Sequence, residues 1–146
     1  MRRLSCVLFL LLSILGLTVS ASAQQVGSAG KQESGFLLES NYPNPFNPET
    51  KIPFVLFEDL FVDGGPVVVS VRIFNVLQQF ITSPTALNHP RGEGVPVLEL
   101  EYPFPGRFEA YWDGRDQAGR QVASGVYFVQ LIVNGKRQVL RMYVTK

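Results

Sequence analysis

GVYFVQLIVNGKRQVLRMYV, residues 125–144, sets the architecture of this chain. Asn134 and Gly135 separate two apolar runs, and an Asn-Gly pair there is the strongest short hairpin signal, because both positions accept positive φ. The first run is apolar on both faces except at Gln130, which predicts a central strand. The second alternates. Leu140, Met142 and Val144 share one face and Arg141 and Tyr143 the other, the pattern of a strand with one face on a core.

The same period of two recurs upstream. In KIPFVLF, Ile52, Phe54 and Leu56 share a face. In VVVSVRIFNV, Val67, Val69, Val71 and Ile73 do so while Ser70 and Arg72 point away. Leu98 and Leu100 alternate with Glu99 and Glu101, and Phe108, Ala110 and Trp112 alternate with Arg107, Glu109 and Tyr111. A weaker strand is predicted at residues 78–82. VDGGP at 62–66 and PRGEG at 90–94 supply loops, and FEDLF at 57–61 suffices for one helical turn. No ten-residue stretch keeps a helical period. About seven short strands with regular turns predict an all-β chain, an immunoglobulin-like antiparallel β-sandwich.

The N-terminus reads differently. Arg2 and Arg3 precede an apolar run from Leu4 to Val19, and Ala21 and Ala23 are spaced as a small-x-small cleavage site. Residues 1–23 are therefore expected to be a secretory signal peptide cut after Ala23, with an uncleaved anchor as the alternative. The run is short for a span, which takes about 20 residues. Residues 24–39 are small and polar, which predicts a flexible linker ahead of a domain at residues 40–146. Cys6 is the only cysteine and would leave with the signal. A chain exported without disulfides fits a bacterial envelope, with the periplasm, cell surface or medium as destination. Without Arg2 and Arg3 the formal charge moves from +1 to −1, which is no footprint for nucleic acid or an anionic membrane.

Catalytic chemistry is hard to assemble from these residues. The one histidine, His89, sits in NHPRG, no serine lies in a nucleophile elbow, and one histidine cannot form the usual zinc site without close further ligands. The expectation is no enzyme and no cofactor. In WDGRDQAGRQVASG, Asp113 and Asp116 invite a calcium reading, but they lack the spacing and closing glutamate of an EF-hand loop. The alternative is turn chemistry, in which Asp113 with Gly114 and Asp116 with Gly119 shape successive turns. Trp112 shares a face with Phe108 and Ala110, so it is expected in the core.

NYPNPFNPE, residues 41–49, is neither helix nor central strand, because its prolines fix φ and donate no hydrogen bond. Asn41, Tyr42, Pro43, Asn44, Pro45, Phe46, Asn47 and Pro48 form a stiff lead-in to the first strand. Asn44 and Asn47 are expected to bond nearby backbone as Asx turns, and Tyr42 and Phe46 to plug the end of the sandwich. Phe57, Phe61, Phe74, Tyr111 and Tyr143 fall on or beside outward faces; if they cluster, they form an apolar patch of the kind that marks a partner site, and outward aromatics also suit stacking on sugars.

NYPNPFNPETKIPF together with the segment from Trp112 to Lys146 resembles the C-terminal sorting domain (type A) of the type IX secretion system. The second segment, with Trp112, Asp113, Gly114, Asp116 and Gly119 followed by Gly125 and Tyr127 in ASGVYF, also resembles the immunoglobulin-like domain of the flagellar hook-capping protein FlgD. The middle departs from the pattern: Asn75 and Leu77 stand where an aspartate and a glycine are usual, and residues 83–105 are longer and richer in proline. The resemblance implies a non-enzymatic module recognised by type IX translocon or envelope proteins for export or surface attachment, with residues 41–48 as the candidate recognition segment. A domain standing alone and the remnant of a larger cargo are both open. The competing expectation is a carbohydrate- or protein-binding, adhesive module that shares the fold.

Overall fold

A computed structural model describes residues 34–146. The signal peptide and most of the linker expected above lie outside the described residues. In chain order the strands are β1 (Phe36–Leu38), β2 (Thr50–Leu56), β3 (Val67–Asn75), β4 (Phe80–Thr82), β5 (Thr85–Leu87), β6 (Leu100–Tyr102), β7 (Gly106–Trp112), β8 (Gly125–Val133) and β9 (Lys136–Val144). One 3-10 turn, Glu58–Phe61, follows β2. A four-stranded sheet runs β1-β2-β7-β5; a five-stranded sheet runs β4-β3-β8-β9, with β6 also paired to β3. All strand pairs are antiparallel. The chain is an immunoglobulin-like β-sandwich.

The hairpin at the C-terminus forms as the sequence predicts. Val133 pairs with Lys136 across a two-residue loop, and Asn134 and Gly135 take φ of 48° and 79°. β8 lies between β3 and β9, and its outward Val126, Phe128 and Ile132 are half-buried while the residues that alternate with them are buried. The inward positions of β2, β3, β7, β8 and β9 meet in one core that includes Phe54, Val71, Ala110, Trp112, Leu131 and Met142. Each of the larger aliphatic and phenylalanine side chains among them contributes about 1.5–3 kcal/mol on burial.

Three expectations are corrected. The sandwich begins before residue 40: Phe36 and Leu38, inside the expected linker, are buried and pair with Leu56 and Phe54. The other edge of β1 is satisfied by one amide, since Gln138 Oε1 accepts from Leu38 N–H at 2.8 Å and Gln138 Nε2 donates to Phe36 O at 2.8 Å. The side chain of β9 thereby ties one sheet to the other. Leu98 does not share a face with Leu100. Glu99 takes φ of 49°, its N–H donates to Ser70 Oγ, and this kink exposes Leu98 while burying Val97 and Leu100. The count of about seven strands becomes nine among the described residues because β1 and β5 are too short to show a period.

The long segment at residues 83–105 bridges the sheets. Thr85–Leu87 pairs with β7 in one sheet, Leu100–Tyr102 pairs with β3 in the other, and Val71 N–H donates to Val97 O between them. Asn75 holds the turn after β3, because its Oδ1 accepts from the N–H groups of both Leu77 and Gln79.

Candidate recognition surface

The two segments that carry the resemblance meet at one end of the sandwich. Phe46 is buried, and its ring meets the Trp112 ring edge-on at 5.3 Å. Trp112 meets Tyr127 in the same way at 5.6 Å. The polar tips of both partners are held: Trp112 Nε1 donates to Arg115 O at 2.9 Å, and Tyr127 Oη donates to Ala123 O at 2.9 Å. The second bond is the tyrosine corner of immunoglobulin-like folds, formed where β8 begins.

Gly114 makes the fit between the segments possible. It lies at φ +73°, and a Cβ there would stand 2.4 Å from the carbonyl oxygen of Pro48. Residues 41–48 are also stitched to both neighbouring strands. Tyr42 exchanges two backbone hydrogen bonds with Lys51 of β2. Phe46 N–H donates to Tyr143 O and Thr145 N–H to Phe46 O, each at 3.0 Å, so the segment extends the sheet beyond β9.

The asparagines divide this work differently from the expectation. Asn44 Oδ1 accepts from Tyr143 N–H at 3.1 Å, a contact across the fold rather than a local Asx turn. Asn41 is the buried one; its Nδ2 donates to Pro43 O and to Thr50 Oγ1. Asn47 is exposed, and no side-chain hydrogen bond holds it among the described residues. Tyr42 is not a plug. It is 43% exposed, its hydroxyl bonds Glu109, and the Lys51 ammonium stands 6.0 Å from its ring. That bond to Glu109 holds the Tyr42 hydroxyl pKa above its ordinary value. The outcome is a stiff loop whose anchors, Asn41 and Phe46, face inward while Tyr42, Pro43, Asn44, Pro45, Asn47 and Pro48 face solvent.

Asp113 and Asp116 act as turn residues. Asp113 Oδ1 accepts from Arg115 N–H; Asp116 Oδ1 accepts from Ala118 and Arg120 N–H, and its Oδ2 from the Arg120 guanidinium at 3.0 Å. The backbone N–H of Arg120 leads the contacts that hold the Asp116 carboxyl below the usual carboxylate range. Gly119, at φ +77°, closes this turn by donating its N–H to Asp116 O. A shallow cleft of about 270 Å³ separates this loop from residues 82–85. Its carboxylates are turned into their own loop. Among the described residues no group of three or more His, Cys, Asp or Glu is placed to hold a metal ion. His89 is buried away from this end, its Nδ1 accepting from Arg91 N–H and its Nε2 donating to Glu101 O, so backbone occupies both nitrogens. No helix among the described residues is long and apolar enough to cross a membrane.

The outward aromatics do not gather in one place. Phe61 packs on the core. Tyr111 lies on the four-stranded sheet, where its bond to Glu49 pushes its pKa up to about 12. Phe74 and Tyr143 lie on the outer face of the five-stranded sheet, Phe74 against Phe80 at 5.9 Å. Sequence reasoning missed Phe80 and Leu98 there, because Phe80 sits in the weak strand and Leu98 was placed inward.

No family model matches the chain. No curated protein does either. Among solved structures, the chain is similar to part of dimeric latent PorU from Porphyromonas gingivalis, with 16% identity and a TM-score of 0.46 over 75% of this chain and 9% of that one. It is similar to part of PorZ, a surface component of the type IX secretion system of the same organism, with 22% identity and a TM-score of 0.41 over 77% of this chain and 12% of that one. A third similar structure is the alkylpurine DNA glycosylase AlkC of Pseudomonas fluorescens, with 15% identity and a TM-score of 0.46 over 77% of this chain and 31% of that one. The chain thus spans a minor part of each of these proteins, and the likeness transfers neither activity nor partner.

Proposed function

We infer that this is a non-enzymatic export or surface-attachment module, recognised by type IX machinery through the end of the sandwich that carries residues 41–48. One observation supports the reading above the rest. The two segments that resemble a sorting domain are far apart in sequence, yet Phe46 packs on Trp112, Pro48 on Gly114, and the first segment continues the sheet beyond β9. The signal in this reading is a folded composite, so a linear copy of residues 41–48 would not suffice.

The test is a soluble reporter with a signal peptide placed ahead of residue 34 of this domain, in a host with a working type IX system. The reporter is expected at the surface or in the medium, and removal of residues 140–146 is expected to leave it in the periplasm. If the intact fusion stays periplasmic while an established sorting domain exports the same reporter, the reading fails.

A second reading, a protein-binding module of the envelope, is favoured by the outer face of the five-stranded sheet. Phe80, Leu98, Val139 and Tyr143 are all exposed there, and Arg72, Phe74, Phe80 and Leu98 line an open hollow of about 250 Å³.

A further inference from the structure

The outer edge of β9 is built to accept another strand. In an antiparallel strand, alternate residues turn both N–H and C=O to the same side. Tyr143 turns its pair away from β8, toward Asn44 and Phe46. By alternation Arg141, Val139 and Arg137 turn theirs the same way. Among the described residues β9 pairs in its sheet with β8 alone; the segment around Phe46 covers the last part of this edge, and β1 of the other sheet lies beside it at Gln138 without pairing to the β9 backbone. An incoming strand would continue the line that Phe46 begins.

The side chains state what kind of strand fits. Arg137, Val139 and Arg141 project from the outer face, with Val139 49% exposed between two exposed arginines. Arg141 stacks on the Tyr143 ring at 5.5 Å, and neither it nor Arg137 meets a carboxylate among the described residues. The outward positions of β3, β8 and β9 hold no aspartate or glutamate. The other sheet shows the contrast, for Arg107 there bridges Glu39 at 2.8 Å and Glu109 at 3.3 Å.

A second copy is a poor occupant. Antiparallel self-pairing about Val139 would set Arg137 of each copy opposite Arg141 of the other, and directly opposed like charges destabilise a sheet. Arginines can also blunt an edge. This edge, however, runs nine residues without proline, and an exposed valine lies between the charges. We propose that the β9 edge is a strand-addition site for an extended segment of another protein, with acidic residues opposite Arg137 and Arg141 and an apolar residue opposite Val139. Main-chain hydrogen bonds supply affinity in this mode and alternate side chains supply choice. Such binding goes beyond the export reading and would hold whether or not the domain directs export.

The test uses the full chain labelled with 15N and two blocked synthetic peptides, Thr-Glu-Thr-Val-Thr-Glu-Thr and its counterpart with lysine for each glutamate. The glutamate peptide is expected to shift the Val139 and Arg141 amides and slow their exchange. Arg137→Glu with Arg141→Glu is expected to weaken that binding by about tenfold or more and to transfer preference to the lysine peptide. Val139→Pro removes one edge donor and is expected to abolish binding, with the β8 amides reporting that the fold is kept. Absence of any shift, equal binding of both peptides, or shifts confined to other strands would overturn the proposal. So would Val139 and Arg141 amides already protected in the dilute free chain, since the edge would then be covered.

Discussion

Both ends of the sandwich are closed by aromatic rings in edge-to-face contact, but they treat their polar atoms differently. At one end Phe46, Trp112 and Tyr127 form a chain in which the indole N–H and the phenol hydroxyl each reach a backbone carbonyl. At the other, Tyr102 meets Phe54 at 5.6 Å, Phe108 at 4.6 Å and His89 at 4.7 Å, and its hydroxyl is buried with no hydrogen-bond partner. Burial raises the Tyr102 pKa well above its ordinary value. The first end locks separate chain segments in a set relation, so its polar tips are tied to backbone. The second end fills space.

The largest expected effect is at the locked end. Trp112→Ala should cost about 3–5 kcal/mol, because it removes the ring that Phe46 and Tyr127 both pack on. An unchanged denaturation midpoint would show that this end contributes no more than a surface patch.

Gly114→Ala should cost about 1–3 kcal/mol from its backbone conformation, with the contact to Pro48 in addition. It should also loosen residues 41–48, read as faster exchange of the Phe46 and Thr145 amides. Destabilisation with those amides unaffected would separate the glycine from the lock.

The sharpest comparison uses one chemical change at both ends. Tyr127→Phe should lower stability by about 1 kcal/mol, since a made hydrogen bond is lost. Tyr102→Phe should be neutral or raise stability by up to about 1 kcal/mol, since a buried hydroxyl without a partner is removed. If both substitutions destabilise alike, Tyr102 is satisfied after all and the contrast between the ends disappears.

The smallest effect is that of Asp116. Its folded pKa is depressed, so its contribution to stability is present above the ordinary aspartate value of about 4 and is lost as pH falls through the lower folded value. Asp116→Asn should therefore lie slightly below the native chain at neutral pH and converge with it in acid. A gap that persists at low pH would show that the charge of Asp116 does not carry the effect, because asparagine keeps an Oδ1 acceptor for the Ala118 and Arg120 N–H groups.

Much of this molecule was legible in residues 50–75 and 106–144. Alternation there assigned the inward faces of β2, β3, β7, β8 and β9, and Asn134-Gly135 fixed the hairpin register. Period two is read from the chain alone because successive strand side chains point to opposite faces. β1 and β5 gave no such signal, since three residues do not display a period. Leu98 misled because one residue at positive φ, Glu99, reverses the alternation, and the Ser70 hydroxyl that holds it there lies 29 positions away in the chain.

The candidate site divides along the same line. Composition and local chemistry were enough to mark residues 41–48 as stiff and to offer Asp113, Asp116 and Gly119 as turn formers beside a calcium reading, because proline, Asx and glycine effects act within a few residues. Which aromatic plugs the end was settled by packing: Phe46 and Tyr42 are equivalent in the sequence, but the register with Lys51 and Val144 turns one inward and the other toward Glu109. Asn44 bonding to Tyr143, Gln138 to β1 and Gly114 to Pro48 are likewise invisible in sequence. Each joins groups that are brought within hydrogen-bond or van der Waals reach only when the two sheets close on the shared core, and no local propensity encodes a partner that distant.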